Sequence, residues 1–88
     1  MKPITLKEIA KSCGGTLFGD ENTEVTSIVT DSRQAKNDTM FAAIKGERVD
    51  GHKFISQCIA AGAVCALVED KPEYECNYIL VDSTFVAL

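Results

Sequence analysis

The sequence predicts an α/β fold, a small mixed sheet with two main helices packed on it. Three observations carry that prediction. Two stretches, near residues 5–13 and 52–61, space their apolar residues at helical intervals between residue types that start and stop helices. Short apolar runs, including Thr39 to Ile44 and Ala63 to Val68, have strand composition. The two kinds of segment alternate along the chain, the pattern of a sheet covered by helices.

The first helix begins at Thr5. Thr5-Leu6-Lys7-Glu8 has the form of a capping box, in which a threonine oxygen and a glutamate satisfy N–H groups left open at a helix start. Leu6, Ile9, Ala10 and Cys13 form the apolar stripe, and Gly14-Gly15 stops it. Thr16-Leu17-Phe18 reads as a short strand closed by Gly19-Asp20. Glu24 to Asp31 reads as one strand, partly buried on both faces, with Val25, Ser27 and Val29 on one side and Thr26, Ile28 and Thr30 on the other. A polar connection, Asp31 to Asp38, leads to the strand Thr39 to Ile44, and Lys45 to Gly51 is a loop. His52 to Ala61 is the second helix, with Phe54, Ile55, Cys58, Ile59 and Ala61 as its stripe and Gly62 as its end. Ala63 to Val68 has no polar interruption and is expected to be central. Glu69 to Asn77 is a loop, Tyr78 to Val81 a last strand, and Ser83-Thr84 the cap of a helix barely begun.

The 88 residues amount to one small domain. The composition, 45% hydrophobic and 25% charged, is that of a globular protein and argues against wholesale disorder. The net charge of −4 and nine scattered Lys and Arg argue against nucleic acid as a partner. No signal-peptide pattern opens the sequence and no run approaches a membrane span, so a cytoplasmic location without membrane insertion is expected. Cys13, Cys58, Cys65 and Cys76 contain no C-x-x-C spacing and the single His52 stands apart, so four reduced thiols and no metal are expected, with Cys58 and Cys65 as core residues. The apolar Phe85-Val86-Ala87-Leu88 suggests a longer protein continuing past Leu88.

Two strand-end loops concentrate hydrogen-bonding groups: Thr30-Asp31-Ser32-Arg33, and Lys45 to His52. Arg33 and Arg48 suit forked contacts to phosphate, Lys45 a point charge, and Ser32 a nucleobase edge or phosphate. Gly46 and Gly51 would let a ligand approach the backbone closely. An alternative stays open at each position: Asp31 caps a turn with Arg33 as its partner, Gly51 is a turn glycine, and His52 starts a helix. The sequence has no Gly-x-x-x-x-Gly-Lys-Thr/Ser, Gly-x-Gly-x-x-Gly, His-Glu-x-x-His or Gly-x-Ser-x-Gly. These 88 residues are therefore expected not to catalyse a reaction alone.

At these loops the sequence resembles the amino-terminal domain of the Mur ligases, the enzymes that build the peptidoglycan peptide stem. The family pattern Thr-Asp-Ser-Arg, Leu-Phe-Val-Ala and Gly-x-x-x-Asp-Gly-His-x-Phe stands here as Thr30-Asp31-Ser32-Arg33, Met40-Phe41-Ala42-Ala43 and Gly46 to Phe54. Ala60-Ala61-Gly62-Ala63 and Val81-Asp82-Ser83-Thr84 also fit, so the resemblance spans nearly the whole chain. Lys45-Gly46-Glu47-Arg48 and Thr5 to Ala10 look most like the branch that adds D-alanyl-D-alanine to UDP-N-acetylmuramoyl-tripeptide. The branch that adds the third amino acid is the alternative, and a free-standing α/β interaction module is a further one.

The resemblance implies that residues 1–83 form the domain holding the UDP end of a UDP-N-acetylmuramoyl-peptide. Residues 84–88 would begin the connection to a central domain that binds ATP and Mg2+, with a carboxy-terminal domain beyond; the 88 residues would hold no cofactor themselves. By matching position, the UDP contacts would be Thr30, Ser32, Gly46, Glu47, Arg48 and Val49. Asp31, Arg33, Asp50, Gly51 and His52 would shape the loops. Asn37-Asp38 departs from the family's Gly-Asp turn and Met40 from its leucine; Asn37 is expected to tolerate the positive φ of that turn.

Overall fold

The computed structural model describes residues 2–46, 48–73 and 75–84. Its first elements are a two-residue strand β1 (Ile4–Thr5) and helix α1 (Leu6–Cys13). Thr5 caps α1: its hydroxyl accepts the Glu8 N–H at 3.2 Å. Gly14 ends α1 at φ 72°, a left-handed conformation that costs a side-chain-bearing residue about 1–2 kcal/mol. Both ends thus follow the sequence signals.

The remaining strands are β2 (Thr16–Phe18), β3 (Glu24–Val25), β4 (Ser27–Val29), β5 (Thr39–Ala42), β6 (Cys65–Val68) and β7 (Tyr78–Leu80), with helix α2 (Ile55–Ala60) between β5 and β6. Five of the strands form one sheet in the order β2-β7-β6-β5-β4. The pairs from β4 to β7 are parallel and β2 is antiparallel to β7, so the sheet is mixed as expected. β6 is the middle strand, buried along its length, as its unbroken apolar run foretold.

The sheet has a core on each face. Met40, Ala42, Cys65, Leu67 and Ile79 pack with Leu6, Ile9 and Ala10 of α1, whereas Phe41, Ala66, Val68 and Tyr78 pack with Ile55 and Cys58 of α2. Alternation along β5 and β6 sends successive side chains to opposite helices. Each large apolar side chain so buried contributes about 1.5–3 kcal/mol. Cys58 and Cys65 lie in these cores and all four cysteines are free thiols.

Several expectations need correction. Glu24 to Asp31 is not one strand: β3 pairs antiparallel with β1 in a separate two-stranded sheet, and β4 pairs with β5. The change of sheet falls at Thr26, whose N–H and hydroxyl donate to the Asp38 carbonyl at 2.8 and 3.3 Å. Only the face bearing Val25, Ser27 and Val29 is covered, and Ile28 stays 39% exposed. The positive φ in the following turn belongs to Asp38, at 62°, and not to Asn37. The strands expected over Thr39 to Ile44, Ala63 to Val68 and Tyr78 to Val81 are shorter. The second helix opens with a 3-10 turn, Gly51–Phe54, before α2, because Asp50 caps the chain one residue earlier than expected. Of the expected connecting segment 84–88, only Thr84, which is helical and buried, lies among the described residues.

Candidate ligand-binding site

The two strand-end loops meet. The carboxyl ends of the parallel neighbours β4 and β5 lead into Thr30–Arg33 and into Ile44, Gly46, Val49 and Gly51, which line one cleft of about 760 Å³. The carboxyl ends of parallel strands are where open α/β sheets bind ligands.

The first loop is a 3-10 turn, Ser32–Gln34, capped by Asp31. Asp31 Oδ1 accepts the Arg33 N–H at 2.9 Å, and the Arg33 guanidinium returns to the same carboxylate through Nε at 3.1 Å and Nη2 at 2.8 Å. This bidentate pairing, first of all, holds the Asp31 carboxyl below its ordinary range. Arg33 is therefore engaged by its neighbour, as the capping alternative has it. Beneath the loop, the Cys58 thiol donates to the Ser32 carbonyl at 3.9 Å.

The second loop closes on itself. The Gly46 N–H donates to the Val49 carbonyl and the Gly51 N–H to the Ile44 carbonyl, each at 2.9 Å. A Cβ on Gly51 would stand 2.9 Å from the Ile44 nitrogen and 3.0 Å from the Ala43 Cα. Glycine at 51 thus serves backbone against backbone. Asp50 caps the following turn: its Oδ1 accepts the His52 N–H at 2.9 Å and lies 2.7 Å from His52 Nδ1. The backbone bond leads in lowering the Asp50 pKa. Lys45 is turned to Asp70 at 2.6 Å, which raises its pKa, and is not among the residues lining the cleft.

Of the expected ligand contacts, Thr30, Ser32, Gly46 and Val49 line the cleft together, with Asp31, Arg33 and Gly51. Arg48 is exposed beside it and does not line it. Asp50 and His52 stand behind the loop rather than in the cleft. Glu47 lies outside the described residues. The sequence reading missed the apolar floor, made by Phe41, Ile44 and Phe54. Phe41 and Phe54 were assigned to a strand and a helix stripe, and only the folded chain shows that they also border this cleft.

An apolar floor with a rim of hydroxyls and peptide groups suits a planar, polar ring laid flat, with hydrogen bonds at its edge. The cleft lining holds one acid, Asp31, already committed to Arg33, and among the described residues it offers no acid–base pair. A second cleft of about 750 Å³ lies near the opposite end of the sheet, around Phe18 and Tyr78, so size does not distinguish the two. The convergent strand-end loops do.

Comparison with known proteins supplies the family. Residues 24–86 match the family described as "Mur ligase family, catalytic domain". The chain belongs to the Mur ligase family. Its fold matches that of MurF from Acinetobacter baumannii with a TM-score of 0.90 and 35% identity, covering 99% of this chain and 20% of that one. It is 39% identical over 90 residues to the UDP-N-acetylmuramoyl-tripeptide--D-alanyl-D-alanine ligase of Bacillus subtilis, covering 96% of this chain and 20% of the relative. It is 36% identical over 75 residues to the UDP-N-acetylmuramoyl-L-alanyl-D-glutamate--2,6-diaminopimelate ligase of Parabacteroides distasonis, covering 82% and 15%. The chain thus spans about a fifth or less of these Mur ligases, and it is a MurF-like Mur ligase amino-terminal domain.

Proposed function

We propose that this domain holds the UDP end of a UDP-N-acetylmuramoyl-peptide for an ATP-dependent peptidoglycan ligase that adds D-alanyl-D-alanine. The carrying observation is the single cleft in which Thr30, Ser32, Gly46 and Val49 converge over an apolar floor. Uracil would lie against Phe41, Ile44 and Phe54, with Thr30 and Ser32 at its edge and Arg48 toward the phosphates. Residues 1–83 form the substrate domain in this reading, and 84–88 begin the connection to the central domain. That domain and a carboxy-terminal one would be its intramolecular partners, ATP and Mg2+ would bind there and not here, and the ligase would work in the cytoplasm. Among the described residues no helix is long and apolar enough to cross a membrane.

Titrating the 15N-labelled chain with UDP and, separately, ATP tests the site. UDP should shift the amides of residues 30–33 and 46–51 and leave those around Phe18 and Tyr78 in place. Equal shifts from ATP, or UDP shifts confined to the Phe18 end, would refute it. The likeness to the diaminopimelate-adding relative supports a second reading, addition of the third stem residue. Assaying the full-length ligase with D-alanyl-D-alanine and with diaminopimelate separates the two.

A further inference from the structure

The contacts of His52 form a path that the binding cleft does not use. Its Nε2 lies 3.0 Å from the Glu69 backbone nitrogen and 3.3 Å from that of Asp70. Backbone N–H groups only donate, so Nε2 must accept and the ring proton must sit on Nδ1, where it is donated to Asp50 Oδ1 at 2.7 Å. The side chain is 14% exposed, so water does little to loosen these bonds. One ring thereby joins the base of the ligand loop to the end of β6. The Lys45–Asp70 ion pair spans the same gap from the loop's other end. Glu69 continues the path: its carboxylate accepts the Thr84 N–H at 3.2 Å and the Thr84 hydroxyl at 2.9 Å, and Thr84 is fully buried.

We propose that His52 is a positioning residue that transmits the position of the ligand loop, residues 45–51, through the Glu69–Asp70 turn to Thr84. A displacement of the loop must either carry the ring with it, and with the ring the two N–H groups it holds, or break three hydrogen bonds at once. Glu69 turns the movement of its own backbone into movement of the carboxylate on which Thr84 hangs. Coupling of this kind runs through contiguous bonded groups. The charged groups around the ring are Asp50 on its own turn, Lys45 in the loop, and Glu69, Asp70, Lys71 and Glu73 after β6.

The relay rests on the nucleotide reading only in the first arm of its test. In the labelled 88-residue chain, UDP should shift the amides of Gly46 and Val49 and, with the same saturation curve, those of Glu69, Asp70 and Thr84. His52→Asn keeps a donor near Asp50 but is too short to reach Glu69; loop shifts should persist while those at Glu69, Asp70 and Thr84 vanish. Glu69→Ala should silence Thr84 alone and leave Asp70 responding, an order that general destabilisation does not produce. It also serves if His52→Asn fails to fold. Loop shifts with no response at Thr84 in the unaltered chain, or an unchanged Thr84 response in both variants, overturn the relay. The second arm needs no nucleotide: Asp50→Ala releases Nδ1 and displaces the loop in the ligand-free chain. The amides of Glu69, Asp70 and Thr84 should then move, and against a His52→Asn background they should not. No movement at Thr84 in Asp50→Ala overturns the relay even if UDP binds. Movement there that requires His52 upholds the relay even if UDP moves nothing and the nucleotide reading falls.

Discussion

Asp31 and Asp50 build the same device in the two loops that border one cleft. Each sits at nearly the same backbone angles, φ −98° and ψ 119° against φ −97° and ψ 114°, as the cap of a 3-10 turn. Each accepts both the N–H and the side chain of the residue two positions later, Arg33 in one case and His52 in the other. The difference is solvent. The Arg33 side chain is 85% exposed, whereas His52 is largely covered and bonded onward to β6. Equal local geometry therefore carries unequal weight.

Asp50→Ala is expected to cost about 1–2 kcal/mol, since it removes a cap and leaves the His52 Nδ1 proton without its acceptor. Asp31→Ala should lower the melting temperature less, because its pair with Arg33 is solvated. Thermal denaturation of the two variants side by side checks the order. An equal or larger loss for Asp31→Ala would show that the His52 linkage adds nothing.

Acid should separate the same variants. The Asp50 pKa is lowered in the folded chain from the ordinary 3.8, chiefly by the His52 N–H. The ionised form is therefore favoured by folding. Its contribution is complete above 3.8 and disappears as the pH falls through the depressed folded value. Melting temperatures of the native chain and of Asp50→Asn should differ by a constant amount near neutrality and converge below about pH 4. A gap that stays constant through the acid range contradicts the linkage.

Gly51→Ala should destabilise by about 1–3 kcal/mol, because the new methyl meets backbone atoms of Ala43 and Ile44 that cannot rotate away. Gly46→Ala meets only the Val49 carbonyl, at 3.2 Å, and should cost less. Urea denaturation measures both. Equal costs would mean that the Ala43–Ile44 backbone yields.

Signals confined to a few neighbouring residues were legible in the sequence. Thr5 and Gly14 bound α1 through groups within four positions, and the unbroken apolar run of β6 reports burial on both faces. The break at Thr26 was not legible, because an alternating pattern is the same whether or not its two halves pair with one sheet. What divides them is a bond to Asp38, twelve residues away. The site followed the same rule. The loops were visible as motifs, but the floor under them, and the contacts of His52 with Glu69 and of Lys45 with Asp70, are made between segments far apart in sequence.

The thiols should react in an order set by burial. Burial pushes the Cys65 thiol up to about 12, and it has no exposed surface. Cys58 is also buried, while Cys13 and Cys76 are partly exposed. Alkylation of the native chain, followed by mass spectrometry, should label Cys13 and Cys76 first and Cys65 last. Early labelling of Cys65 would mean that the central strand opens readily.

Ser32 and Arg48 should contribute to nucleotide affinity by different amounts and for different reasons. Ser32 lines the cleft and offers a neutral hydroxyl, so Ser32→Ala loses about 0.5–1.5 kcal/mol, or roughly 2- to 13-fold in the dissociation constant for the UDP-linked substrate. Arg48 is exposed beside the cleft and, among the described residues, forms no ion pair, so its guanidinium is available to phosphate. Losing a charge-assisted bond costs about 1.5–3 kcal/mol, so Arg48→Ala should weaken binding roughly 10- to 150-fold. Added salt should narrow the Arg48 difference, since it screens an exposed charge, and leave the Ser32 difference almost unchanged. ATP affinity in the full-length ligase should not respond to either substitution. Calorimetry on the full-length proteins, with folding checked by melting, decides the matter. If both variants fold and bind the UDP-linked substrate as the native protein does, the two loops are structural turns and the nucleotide sits elsewhere.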